Sequence, residues 1–242
     1  MPIPKALRWF LVVVSVLFVL GFAVASWSIS LSQSDPGSGA FRFDYGPQTL
    51  TGVLELTPEP ILHVTEGTDR VPTGRTIMLS SGAKRGLGPR GEPLDGQIVQ
   101  ARGIVLERGS LDMLQVQGRA DALTPVENAP DRPATVTEDL GRWRLTGEIC
   151  DGKCLAGAMR PGRGLAHKAC ANLCLIGGVP PVFVSTQPVE GSEFLMLGGN
   201  GASDRPQALL DIVGEYVTLD GQVERRGDLL IFTPDLESVT RP

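Results

Sequence analysis

The residues of this chain best suited to chemistry are crowded into one stretch: Cys150, Cys154, His167, Cys170 and Cys174. Leu165 to Leu175 holds good helix formers and no breaker, and the Gly177-Gly178 that follows is a natural stop, so a short helix is predicted there. Spacings of three and four then place His167, Cys170 and Cys174 on one helix face. Cys154, arriving from the end of a preceding strand, would complete a Cys3His tetrahedron. Such a set suits zinc, and its soft sulfurs suit copper as well.

The same four cysteines support a second chemistry. An even number of cysteines in an exported chain is ordinarily used for disulfides. Cys170 and Cys174 are poor partners for each other, because side chains four apart on a helix run parallel while a disulfide needs Cβ atoms about 3.8 Å apart and a near-perpendicular torsion. Bridges from the helix back to Cys150 and Cys154 are the better arrangement, and three full pairings stay open. A reactive thiol or an exchangeable disulfide among Cys150, Cys154, Cys170 and Cys174 is the third use. No C-x-x-C, C-x-x-C-H or G-x-S-x-G occurs, which argues against thioredoxin-type chemistry, c-type haem attachment and a serine nucleophile elbow.

Local charge adds to this. From Gly152 to Val189 there is no Asp or Glu, while Lys153, Arg160, Arg163 and Lys168 are present, so an acidic protein has one basic patch around its cysteines. Such a patch is expected to lower thiol pKa values and to favour thiolate. Pro161-Gly162-Arg163-Gly164 at the helix entrance offers free backbone N–H groups, making Arg160, Arg163 and Lys168 candidates for an anion site; the competing reading is a tight turn with solvated cations.

The order D-x-x-C, H-x-x-C-A-x-x-C, a Gly-rich turn with Pro and then an OB-like hairpin resembles a family of exported bacterial proteins. The residues are Asp151, Cys154, His167, Cys170, Ala171, Cys174, Gly177, Gly178 and Pro180, and the match covers roughly 144–232. The resemblance implies a shared structural unit and brings no activity with it. Cys150 lies outside its pattern.

The elements that must position these side chains show themselves as a repeat. Residues 76–114 align without a gap onto 194–232 at an offset of 118, pairing Met78-Leu79 with Met196-Leu197, Gly103 with Gly221 and Arg108-Gly109 with Arg226-Gly227. Upstream, Leu50-Thr51-Gly52 matches Leu145-Thr146-Gly147 at an offset of 95, so the second copy has gained 118 − 95 = 23 residues, and these hold most of the cysteine site. Short apolar runs between turn residues, with 30 glycines, 19 prolines and only 5% aromatics, indicate a mostly β protein. Each copy reads as a strand, a Met-Leu strand and a curved hairpin turning at Arg-Gly, with a mid-strand glycine bend. In the second, Ser203-Asp204-Arg205-Pro206 would cap a short helix before the hairpin. The expected architecture is two tandem OB-like small β-barrels after an N-terminal transmembrane helix, the second with a Cys/His-bearing helical insert. Its bounds are 1–30 for the membrane segment, 40–120 for the first module, 121–140 for a linker and 141–236 for the second module. The repeat predicts that the first module folds alone and without metal.

Lys5 and Arg8 precede a charge-free run over residues 9–27, about enough to cross the ~30 Å hydrocarbon core. The positive flank predicts an N-terminus inside and single-pass insertion in the inner membrane, with the C-terminal domains periplasmic. The competing reading is a signal peptide cut after Ala23-Val24-Ala25. Ser32 to Gly39, small and polar, reads as a flexible tether. A net charge of −5 argues against a nucleic-acid partner. Together these features predict a membrane-tethered periplasmic binding or accessory protein without turnover of its own, carrying a soft metal or structural disulfides and serving a protein partner in an envelope complex. The alternatives are a thiol-disulfide or metal-dependent redox enzyme and a purely structural scaffold. His63, without a neighbouring His or Cys in sequence, reads as a strand residue, and Met78 and Met196 read as core.

Overall fold

The computed structural model describes residues 4–32, 37–127, 136–199 and 205–241. The chain divides into two compact units, residues 1–36 and 37–242. The first is one helix, α1 (Lys5–Ser32). Its stretch Leu7–Ser30, 24 residues of mean hydropathy 2.5, is long and apolar enough to cross a membrane and extends the expected span at both ends. Of the expected tether, Gln33 to Pro36 lie outside the described residues.

The second unit holds both repeats. The first is built from β1 (Ala40–Phe41), β2 (Gln48–Glu55), β3 (Ile61–Glu66), β4 (Thr76–Ser80), β5 (Ile98–Arg108), β6 (Leu111–Val116) and β7 (Leu123–Pro125). Strands β2, β3, β4, β6 and β5 close into a barrel in that order; β4 and β6 run parallel and the other pairs antiparallel. The second repeat comprises β8 (Thr137–Asp151), α2 (Lys168–Ile176), β9 (Pro181–Val189), β10 (Ser192–Leu197), α3 (Gln207–Ile212), β11 (Tyr216–Arg226) and β12 (Leu229–Pro234). It closes in the order β8-β9-β10-β12-β11, again with one parallel pair, β10 and β12. Both copies are five-stranded OB-like barrels, as the repeat predicts.

The repeated residues explain the shared geometry. Gly109 and Gly227 turn the two hairpins with φ of 58° and 60°, a conformation that favours glycine. At Gly103 a Cβ would lie 2.3 Å from the Gln115 carbonyl oxygen, and at Gly221 2.4 Å from the Phe232 ring, so each long strand bends where a side chain would collide with the next. The helix α3 forms after Pro206, while the expected caps Ser203 and Asp204 lie outside the described residues.

Two expectations need correction. Residues 121–140 are not simply a linker: Leu123–Pro125 pairs with β5 and Thr137 already belongs to β8, while 128–135 lie outside the described residues. Nor are the barrels independent beads. Ile61, Met78, Leu106, Leu111 and Met113 of the first form one buried cluster with Val182, Phe194, Met196 and Ile231 of the second, and with Cys154, Leu155 and Cys174 of the insert. Periodicity showed these residues as apolar, and it could not show that they face a neighbouring barrel. Across the same seam Arg205 meets Glu59, at 8% and 1% side-chain exposure, with one N–H···O distance of 2.8 Å.

Candidate metal and thiol site

The insert between β8 and β9 is held at both ends before it presents any sulfur. Asp151, the last residue of β8 and fully buried, accepts the Cys154 N–H at 2.8 Å through Oδ1 and faces His167 Nε2 at 3.0 Å through Oδ2. One carboxylate thus ties the start of the insert to the turn that opens α2. The chain folds back through residues 154–158 and the glycine-rich 162–164, then a tight turn at Leu165–His167 leads into α2, which stops at Gly177. Cys170 and Cys174, one helical turn apart, point to the same side. Cys174 is buried and Cys170 half-buried.

The outcome differs from one Cys3His tetrahedron. Cys154, Cys170 and Cys174 bring their sulfurs within 4.8 Å of one another, and Asp151, Cys154 and His167 form a second group of the same kind, with Cys154 common to both. His167 is drawn toward Asp151 because a buried imidazole needs a hydrogen-bond partner more than a buried sulfur does. Cys150 takes no part in either group. Its Sγ lies 3.2 Å from Glu148 Oε1, and burial followed by that carboxylate pushes its thiol far up. All four cysteines are free thiols in this structure.

The first barrel supplies a residue that the sequence did not reveal. Lys84, in the loop after β4, places Nζ 2.6 Å from Cys170 Sγ and 3.8 Å from Cys174 Sγ. Lys153 of the insert reaches back to this loop, donating to the carbonyls of Ser81 at 2.5 Å and Ala83 at 2.7 Å. The Gly86 N–H bonds the Gly177 carbonyl at 2.9 Å, and a Cβ on Gly86 would stand 1.8 Å from the Gly178 oxygen. In the aligned repeat this loop falls on residues with neither a thiol nor an imidazole. A lysine after a run of small residues was the only signal it carried.

The electrostatics are correspondingly uneven. A hydrogen bond from Cys154 holds the Cys174 thiol below its usual range, and the same bond, with burial behind it, pushes Cys154 up. Lys84 is raised, first by its bond to Cys170, and burial lowers Lys153. The basic patch thus does not lower every thiol, since Cys150 and Cys154 are governed by burial and near neighbours. The anion site is not assembled either. The Gly164 N–H donates to the chain's own Glu148 carboxylate, Lys168 pairs with Glu215 at 2.8 Å, and Arg160 donates to the Gly39 carbonyl at 3.2 Å, while Arg163 stays exposed.

Exposure and charge together order the thiols. Under brief iodoacetamide treatment at neutral pH, Cys170 should be the first cysteine modified in the folded protein and Cys150 the last. Peptide mass mapping reads the order; early labelling of Cys150 would contradict the packing described.

Comparison of the chain with protein-family models, with curated proteins and with solved structures finds no match.

Proposed function

We propose that this chain is a membrane-tethered binding protein that holds a soft metal ion at the seam between its two barrels, on the periplasmic side, as an accessory to an envelope complex. The observation that carries the reading is the convergence of three sulfurs, from Cys154, Cys170 and Cys174, beside a buried Asp151 and His167. Thiolates select soft and borderline ions, and a set already gathered in the folded chain needs little rearrangement to bind one. Lys5 and Arg8 before the apolar helix support the orientation, since such flanks stay cytoplasmic.

The test loads the reduced full chain, in detergent and without oxygen, with zinc or copper(I), removes excess ion and measures bound metal. About one ion per chain is expected for one of them, lost in Cys154→Ser and Cys174→Ser and kept in Cys150→Ser. Equal loading of all these variants would reject the site. A thiol-disulfide role is the second reading, favoured by the hydrogen-bonded Cys154 and Cys174 pair. It requires that these two sulfurs form a bond which glutathione readily reduces.

A further inference from the structure

We infer that the ion held here is copper(I), coordinated by Cys154, Cys170 and Cys174 alone, with His167 kept outside its shell. This deepens the metal-binding reading above and rests on it. The three sulfurs are mutual neighbours, whereas His167 groups with Asp151 and Cys154 and not with Cys170 or Cys174. Its Nε2 is engaged by Asp151 at 3.0 Å, and both residues are buried, at 3% and 0% side-chain exposure. With Nε2 bonded to Asp151, Nδ1 is the ring nitrogen left to offer an ion, and no group within 4.8 Å joins His167 to Cys170 or Cys174.

On the other open side stands Lys84, 2.6 Å from Cys170 Sγ. An ammonium has three donors and no lone pair to give, so it closes the cluster without becoming a ligand. A site with three soft donors and no fourth suits an ion that accepts trigonal sulfur coordination. Copper(I) is such an ion, being soft and thiolate-selecting, while zinc in structural sites takes four ligands almost without exception. Three thiolates around a monovalent ion leave an excess of negative charge, and Lys84 lies where it offsets that excess. The loop bearing Lys84 is fastened to the insert by Lys153 and by the Gly86 to Gly177 hydrogen bond, so the first barrel completes the site of the second.

The reduced full chain is titrated without oxygen, with copper(I) against a coloured copper(I) chelator and separately with zinc against a zinc indicator. Copper(I) should bind at about one per chain. Cys170→Ser should weaken it by more than the roughly 100-fold that outer-shell changes cost, and His167→Gln, which keeps a donor for Asp151, by less than about tenfold. Lys84→Gln should weaken copper(I) severalfold and Lys84→Arg restore it. X-ray absorption of the loaded wild type needs no variant and should show sulfur neighbours only. Nitrogen in the copper shell, or zinc binding in preference to copper with a loss beyond about 100-fold in His167→Gln, would overturn the inference while leaving a metal site in place. Failure to bind either ion would overturn the metal-binding reading itself.

Discussion

Arg205→Ala is expected to destabilise the two-barrel unit by about 3–5 kcal/mol, the cost of stranding one member of a buried ion pair. Glu59 is 1% exposed, and burial pushes its carboxyl up from the ordinary range even against the guanidinium that grips it. The pair as a whole is therefore a modest net contributor, while half of it is a burden. Arg205 also bonds the carbonyls of Leu175 and Val179, so alanine releases the end of α2 and the entry to β9 as well. Urea unfolding of residues 37–242 measures the loss. The double variant Glu59→Gln, Arg205→Met should recover much of it, because no buried charge is left alone. A single variant within about 1 kcal/mol of wild type would show that the seam is wetter than described.

Asp151→Ala should cost about 2–6 kcal/mol, since it strands two buried donors, the Cys154 N–H and the His167 ring, at about 1–3 kcal/mol each. It should also weaken metal binding by about 10–100-fold, the range for an outer-shell partner, because Cys154 loses the contact that fixes its backbone. Asp151→Asn can still accept one of the two hydrogen bonds and should fall between alanine and wild type. Unfolding and metal competition on the same samples separate the two effects. Wild-type affinity in a destabilised Asp151→Ala would mean that the sulfurs are placed without this carboxylate.

The fold was legible where the sequence repeats itself. Met78 against Met196, Gly103 against Gly221 and the Arg-Gly turns carry the same local constraint twice, and both copies close into barrels of one strand order. Helix α2 was legible from a breaker-free run ending at two glycines. What the sequence could not show lies at the seam. A buried methionine on a strand reads the same whether it faces its own barrel or another one, so the shared core went unseen. Lys84 stands far before Cys154 in the chain, after a run of small residues, and only tertiary packing gives it a sulfur to face. Helical spacing put His167 on one face with Cys170 and Cys174, but His167 lies in the turn before α2 and groups with Asp151 and Cys154, because a buried imidazole demands a partner. The free N–H groups of the 161–164 turn were anticipated, and the Gly164 N–H meets the chain's own Glu148.

We propose that Cys154, Cys170 and Cys174 hold a soft ion at the seam of the two barrels. Elemental analysis, joined to intact mass, of the full chain isolated from its native cells without reductant and without oxygen tests this. About one copper per chain, a mass showing four reduced cysteines, and loss of the metal in Cys174→Ser are expected. Two disulfides, seen as a mass lower by four hydrogens, with no bound metal, would contradict it.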